Sequence, residues 1–130
     1  MYSKTTKSIN ITVNPCYLDE QSEPEDHYYV WTYQVTINNL GQETVQLKHR
    51  YWKIIDSNGT KQEIKGEGVV GEQPILKPGG KYEYISGTPL STPSGFMEGY
   101  YEMETKNGKK FDVTIPLFPL DSPYVSNKLN

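Results

Sequence analysis

The sequence is poor in the residues that secretion, membrane insertion and nucleophilic catalysis require. Its single cysteine, Cys16, excludes an internal disulfide bond and indicates a reducing cytoplasm. Because Pro15 precedes it in a predicted strand and no histidine or lysine lies nearby in sequence, we expect an inert thiol. The N-terminus has no apolar core of signal-peptide length, and no long apolar run occurs. These absences predict a cytoplasmic protein without membrane association.

Positive charge and histidine are also scarce. Thirteen Lys and Arg residues against sixteen Asp and Glu residues give a net charge of −3, so no basic face is expected for nucleic acid or anionic lipid. With only His27 and His49, and no Gly-x-Ser-x-Gly sequence, catalytic arrangements of a base and a nucleophile are few. We therefore predict a protein that is not an enzyme, has no cofactor, and binds neither nucleic acid nor membrane.

What the sequence does contain is typical of a β protein. It has eleven tyrosines, eleven glycines and nine prolines. Apolar residues alternate from Ile9 toward Leu18 and, most strictly, from Tyr29 to Ile37. Asn58-Gly59 and Asn107-Gly108 are hairpin signals. About seven short strands predict a single all-β domain over residues 1–130, an antiparallel β-sandwich of immunoglobulin type with its core at about 9–118 and a frayed tail at 121–130.

The strand predicted from Val45 to Asp56 changes phase. Val45 and Leu47 share one face, whereas Trp52 and Ile54 fall on the other. A shift of one residue turns every side chain to the opposite face, so burying both pairs predicts a bulge near His49-Arg50, or a strand covered on both sides.

Residues Gly66 to Gly71 have the G-x-G-x-x-G spacing of dinucleotide-binding loops. In those proteins the glycines open a helix whose N-terminus holds the pyrophosphate. Here Pro74 and Pro78-Gly79-Gly80 exclude a helix. The acidic residues in and beside the loop would each repel a phosphate charge about 4 Å away by ~1 kcal/mol in water. The pattern favours a connection between strands in which the glycines take positive φ or permit close contact.

Two roles remain open for this loop, which consists of Gly66, Glu67, Gly68, Val69, Val70 and Gly71. Its adjacent valines could plug the core or contact a partner. Alternatively, Gly66, Gly68 and Gly71 could donate backbone N–H groups to an anion such as a dinucleoside polyphosphate. Arg50 and Trp52 share one face of their strand and are candidate adjacent contacts, or a structural stack or ion pair.

The densest acidic segment, Asp19 to His27, could attract a hard divalent cation. Its spacing matches no EF-hand loop, and one imidazole is weak support for a transition-metal site. We predict a solvated acidic loop and assign no metal ligand.

The central part of the chain contains a set of short motifs whose order and spacing are far more specific than any one of them alone. The motifs are Arg50-x-Trp52, Gly66-x-Gly68-x-x-Gly71-x-x-Pro74, Pro78-Gly79, Tyr84, Ser86, Gly95-x-Met97-x-Gly99-x-Tyr101 and Ile115-Pro116-x-Phe118. Together they resemble the ApaG family, small bacterial proteins that also occur as a domain of eukaryotic F-box adaptor proteins. The resemblance implies a fibronectin type III-like sandwich, with Trp31 as a buried core residue, and supplies no catalytic residue.

The resemblance also implies a cellular context. The bacterial genes often neighbour a diadenosine tetraphosphate hydrolase gene and are linked to cobalt sensitivity and magnesium efflux. We predict a non-catalytic binding module with a protein as its partner. The alternative is a sensor of a dinucleoside polyphosphate or similar anion at the glycine loop. An exposed sheet edge could also pair two copies into a homodimer.

Overall fold

The computed structural model describes residues 1–124, which form nine β-strands and two short 3₁₀ turns. The 3₁₀ turns are Asp19–Gln21 and Pro24–Asp26, in the acidic segment. The strands are β1 (Tyr2–Thr6), β2 (Ile9–Tyr17), β3 (Tyr29–Asn39), β4 (Val45–Asp56), β5 (Lys61–Glu67), β6 (Ile75–Leu76), β7 (Lys81–Leu90), β8 (Ser94–Thr105) and β9 (Lys110–Asp121).

The strands form two antiparallel sheets that pack as a sandwich. One sheet has the order β1-β2-β3-β7, and the other has the order β5-β4-β8-β9 with β6 added beside β4. The predicted fold class is therefore confirmed. About seven strands were expected because β1 is polar without an apolar alternation and β6 has only two residues, so neither leaves a strong pattern in the sequence.

The core lies between the facing sides of the two sheets. In β3 the alternating residues predicted to face inward are buried, and they are Tyr29, Trp31, Tyr33, Val35 and Ile37. Trp31 is fully buried, as expected, and its indole N–H donates to the Asp121 carbonyl (N···O 2.9 Å). Burying a large side chain of this kind stabilises the fold by roughly 2–3 kcal/mol, and the hydrogen bond satisfies the one polar atom of the ring.

The predicted bulge in β4 is confirmed. Pairing with β8 shifts register between Leu47 and His49, so Lys48 is the extra residue. Val45 and Leu47 before the bulge, and Trp52 and Ile54 after it, are all buried. The Lys48 carbonyl accepts two hydrogen bonds from the glycine loop region, as described below. The bulge that keeps both pairs of residues buried therefore also presents the carbonyl that holds the loop.

The prediction that the chain frays from residue 121 is wrong for residues 121–124. β9 continues to Asp121, and Leu120 is fully buried. The Tyr124 ring packs against Tyr17 and Tyr29, with centroids 6.5 and 6.1 Å apart. The sequence pattern missed this packing because two prolines interrupt the alternation of β9. The rest of that predicted tail, 125–130, lies outside the described residues.

The two long sides of the sandwich differ. On one side β1 and β2 pack against β9. On the other side lie the edge strands β5 and β7, which among residues 1–124 pair only with β4 and β3, respectively. The glycine loop begins with the last two residues of β5, so it lies on this second side. Among residues 1–124, no helix is long and apolar enough to cross a membrane.

Candidate functional site

The glycine loop ends in a tight hairpin rather than a helix. Val69 and Glu72 exchange both backbone hydrogen bonds, with N···O distances of 2.8 and 2.9 Å. The two residues between them, Val70 and Gly71, have φ of 44° and 81°. Positive φ at both central positions is the property of type I′ two-residue turns. The helix N-terminus of a dinucleotide site is therefore replaced by a reversal of the chain.

Gly68 must be a glycine because the chain is crowded there. Its φ is 61°, and an added Cβ would lie 2.1 Å from the Glu72 carbonyl oxygen. Its N–H donates to the Lys48 carbonyl in the β4 bulge (2.9 Å), and the Gln73 side-chain amide donates to the same oxygen. The N–H predicted to meet an anion at Gly68 is thus already used within the fold. Anion binding at the loop stays a prediction that calorimetry with diadenosine tetraphosphate would test.

Gly66 lies in β5 and gives room to Arg50 on the adjacent strand. The two residues are register partners, and an added Cβ at Gly66 would lie 2.8 Å from three guanidinium atoms. Arg50 Nη1 donates to the carbonyls of Glu67 (2.9 Å) and Gly68 (3.0 Å). Within residues 1–124 Arg50 makes no ion pair, so the ion pair considered from sequence is replaced by hydrogen bonds to the loop backbone.

The sequence left open whether the two valines plug the core or contact a partner, and the structure buries one of them and exposes the other. Val69 is 1% exposed and belongs to the core, whereas Val70 is 56% exposed at the tip of the turn. A β-branched residue with positive φ is a true conformational outlier, and such strain typically costs about 1–3 kcal/mol. The chain therefore holds an apolar side chain in solvent at an energetic cost to the fold.

A groove of about 280 Å³ lies beside this turn, between β5 and β7. It is open on the side of the sandwich where the two edge strands face each other. Its walls are apolar or hydroxyl-bearing, and Arg50 is its only lining residue that is charged at neutral pH. The lining residues are Tyr33, Arg50, Trp52, Ile64, Val69, Val70, Gly71, Tyr84, Ser86 and Gly87.

Tyrosine hydroxyls form the polar floor of the groove. Tyr84 and Tyr101 share a buried hydrogen bond between their hydroxyls. Burial raises the pKa of Tyr33, Tyr84 and Tyr101 above the usual 10.0, although the positive charge of Arg50 acts in the opposite direction on all three. A Ser86 hydrogen bond also lowers the pKa of Tyr33, without cancelling the effect of burial. The hydroxyls therefore stay neutral at physiological pH.

Trp52 contributes mainly to the core. It is 2% exposed and packs against Tyr33, with ring centroids 5.3 Å apart, and edge-on against Phe118 at 6.0 Å. Trp52 lines the groove from beneath. Tyr33, Tyr84 and Ser86 were not predicted as site residues, although the last two occur in the family motifs. The available signal was the alternation of β7, which places residues 84 and 86 on one face.

A second hollow lies across β5, on the outer face of the sheet, where Tyr51 and Tyr100 stack at 5.0 Å. Glu67 lines this hollow and not the groove. The Lys65 ammonium lies 5.6 Å from the Tyr51 ring. A hydrogen bond to Glu63 raises the pKa of Tyr51 to about 12. Arg50 and Gly66 line this hollow as well, so Arg50 reaches both surfaces, whereas Glu67 does not line the groove.

The acidic segment forms the two 3₁₀ turns, and its described carboxylates do not converge into a metal-binding group. In the described part of the chain, no group of three or more His, Cys, Asp or Glu side chains could hold a metal ion. His27 ends the second turn with a left-handed backbone, φ 55°.

Two antiparallel sheets with a loop-capped groove at one side define a β-sandwich domain of the immunoglobulin and fibronectin type III kind. The family model of the ApaG domain matches residues 19–105. Proteins named ApaG from Parvibaculum lavamentivorans and Paramagnetospirillum magneticum are 61% and 58% identical over all 130 residues, with full coverage of both chains. A crystal structure from Bordetella pertussis, described as an ApaA protein, superposes with a TM-score of 0.87 at 41% identity, covering 95% of this chain and 99% of that one. The chain belongs to the ApaG family.

Proposed function

We propose that this protein is a non-catalytic binding module whose partner is another protein, held at the surface formed by Val70 and the groove. Val70 carries the proposal. Its side chain is exposed, apolar and held in a left-handed conformation that Gly, Asn or Asp would adopt with less strain. A costly exposed apolar side chain beside a groove is a feature that binding sites have.

The surroundings of Val70 suit a protein partner better than a substrate. The groove offers one guanidinium and several neutral hydroxyls, and no carboxylate, imidazole or thiol lines it. A general base with a pKa near neutrality is therefore lacking at this place among the described residues. The edge strands β5 and β7 on either side leave backbone groups for a partner strand.

Affinity capture from the native cytosol with matched variants tests the proposal. Val70→Asp places a charge at the tip while keeping a residue that tolerates positive φ. Leu40→Asp is the matched control, since Leu40 is similarly exposed (59%) but does not line the groove. We expect the Val70 variant, and not the Leu40 variant, to lose the captured partner. Equal capture by both folded variants would contradict the proposal.

We further propose that the module acts in the cytoplasm, where the family's link to cobalt sensitivity and magnesium efflux would operate through the bound protein. We also propose the exposed edges of β5 and β7 as the places where two copies would pair into a homodimer. Sedimentation of the purified protein over a range of concentrations distinguishes a monomer from a homodimer.

A further inference from the structure

We propose that the groove accepts an acidic side chain of an extended segment of the partner, bound through its carboxylate to the Nε–Nη2 edge of Arg50. This inference rests on the proposed function, because it names the chemistry of the partner at the same surface. Arg50, the walls of the groove and the two edge strands carry it.

Arg50 is a positive charge without a negative partner. It is the single arginine of the sequence. The ion pairs in residues 1–124 use other residues: Lys48 with Glu104, His49 with Glu102, Lys53 with Glu98, and Lys81 with Glu83. Arg50 is partly buried, so part of its hydration is already removed. A partly dehydrated cation in a groove of neutral side chains attracts an anion more strongly than an exposed lysine does.

The hydrogen bonds of Arg50 leave its most useful edge open. Nη1 is occupied by the carbonyls of Glu67 and Gly68. Nε and Nη2 donate to no group of the described residues, and together they carry three N–H bonds. Two parallel N–H donors on a rigid plane match the two oxygens of a carboxylate. Because the loop backbone already holds Nη1, little side-chain freedom remains to be lost on binding.

The amount of charge favours a carboxylate over a phosphate. One guanidinium balances one negative charge, whereas a phosphate monoester carries nearly two at neutral pH. Lys65, the basic residue closest in sequence to the loop, has its ammonium over the Tyr51 ring on the other surface. Glu67 lines that other surface too. Glu67 shares that hollow with Arg50 but does not line the groove, so its carboxylate is not among the side chains that an occupant of the groove would meet.

The walls of the groove indicate an extended peptide. Ile64 and Val70 are apolar, and Tyr33 and Ser86 offer hydroxyls for the remaining lone pairs of a carboxylate. β5 and β7 each have one free edge facing this side of the sandwich. A partner strand added to such an edge would place alternate side chains over the groove.

The first test uses two capped peptides that differ in one charge, acetyl-Val-Glu-Val-amide and acetyl-Val-Gln-Val-amide. Each is titrated into the protein while NMR follows the Arg50 Nε–H and the Ser86 backbone N–H. We expect the Glu peptide to shift both signals and to bind at least about tenfold more tightly than the Gln peptide. Equal binding, or no shift at Arg50 with either peptide, would overturn the proposal. Acetate provides the other arm: if it binds as tightly as the Glu peptide, the occupant is a free carboxylate and the proposal of a peptide fails.

The second test changes the charge of the groove without touching Arg50, because Arg50 also holds the loop. Val70→Glu and Val70→Gln are nearly isosteric and lie at an exposed position of the rim. We expect Val70→Glu to bind the Glu peptide about three- to fivefold more weakly than Val70→Gln, as one like charge at close range in water requires. No difference between the two folded variants would contradict a carboxylate in this groove. If partner capture still depends on Val70 in that case, the proposed function survives and only its carboxylate chemistry is lost.

Discussion

The two long sides of the sandwich fill the space between the edges of the two sheets in different ways. On the β1 side, the Tyr2 and Phe118 rings pack across the sheets at 6.4 Å, and the Thr114 N–H donates to the Thr6 hydroxyl at 3.3 Å. On the β5 side, Arg50 and a strained hairpin occupy the space between the edges. The first side is closed by aromatic packing and this hydrogen bond, whereas the second keeps a cation, neutral hydroxyls and an exposed valine. The comparison places backbone strain and an open groove on the same side of the sandwich, the side to which we assign the proposed binding.

The largest effect should follow from breaking the groove side at Gly68. Gly68→Ala adds a Cβ that would lie 2.1 Å from the Glu72 carbonyl oxygen. We expect a loss of about 3 kcal/mol or more in the free energy of unfolding, because backbone must move to relieve the overlap. Chemical denaturation measures it.

Gly71→Ala is the matched control within the same loop. Gly71 also has positive φ, but nothing lies within 4 Å of an added Cβ. Its cost should be limited to about 1 kcal/mol of backbone strain. If the two alanine variants are equally destabilised, crowding at Gly68 is not the reason for its glycine.

The next effect concerns the buried hydroxyls below the groove. Tyr84→Phe removes the hydrogen-bond partner of Tyr101, which is fully buried. Leaving that hydroxyl without a partner should cost about 1–3 kcal/mol. Tyr82→Phe, on the same strand, is the control, since Tyr82 is only partly buried. Equal losses would contradict a special role for the buried pair.

The same cluster predicts how stability depends on pH. The folded pKa values of Tyr33, Tyr84 and Tyr101 lie above the unfolded value of 10.0. The folded state therefore keeps protons that the unfolded state releases, so this stability is complete below pH 10 and is lost as pH rises above it. Unfolding by denaturant at about pH 8 and about pH 11 should show the loss, and Tyr84→Phe should show a smaller one. A wild-type stability that stays constant above pH 10 would contradict the burial of these hydroxyls.

A smaller change in the free energy of unfolding should distinguish the side-chain hydrogen bonds on the two sides of the sandwich. Arg50→Met removes two charge-assisted hydrogen bonds to the loop and should cost about 1.5–2 kcal/mol. Thr6→Val removes the exposed acceptor of the β1 side and should cost no more than about 0.5 kcal/mol. Thermal unfolding of both variants makes the comparison. A larger loss at Thr6 would reverse the assignment of the polar contacts to the groove side.

The smallest effect should be a gain. Val70→Asn keeps the turn but replaces a strained β-branched residue with one that tolerates positive φ. We expect an increase of about 1 kcal/mol, seen as a rise of a few degrees in Tm. Val30→Asn, at the second residue of β3, serves as the opposite control, because a strand disfavours Asn there. A decrease in Tm for Val70→Asn would mean that the valine side chain stabilises the turn.

The sequence predicted the sandwich because period-two alternation survives in β3, in β7 and in the first half of β9. It also predicted a bulge of β4 as one of two alternatives, because a regular strand could bury Val45 with Leu47 and then Trp52 with Ile54 only if it were covered on both sides. It did not predict β1, whose polar residues pair with β2 without an apolar face of their own. Alternation reports burial, so a strand such as β1, which packs against the core through Tyr2, leaves little trace.

The candidate site was only partly readable for a related reason. The need for glycine at 66 and 68 was visible, but its cause was not. Gly66 lies under Arg50 only because β5 pairs with β4 in one particular register. Tyr84 and Ser86 reach the groove because β7 pairs with β3 across a long sequence separation. Registers between distant strands are not encoded in local patterns, so neither contact could be inferred from spacing.

The bulge at Lys48 determines which kinds of mutation would displace the glycine loop during evolution. Its carbonyl oxygen accepts hydrogen bonds from the Gly68 N–H and the Gln73 side-chain amide. The loop is thus anchored by a main-chain atom, which every residue type possesses. Substituting Lys48 by another residue would leave that anchor in place. Deleting one residue from β4 would remove it, even if every named side chain of the groove were kept. The position of the loop is thus inherited through the length of a strand rather than through the identity of a residue.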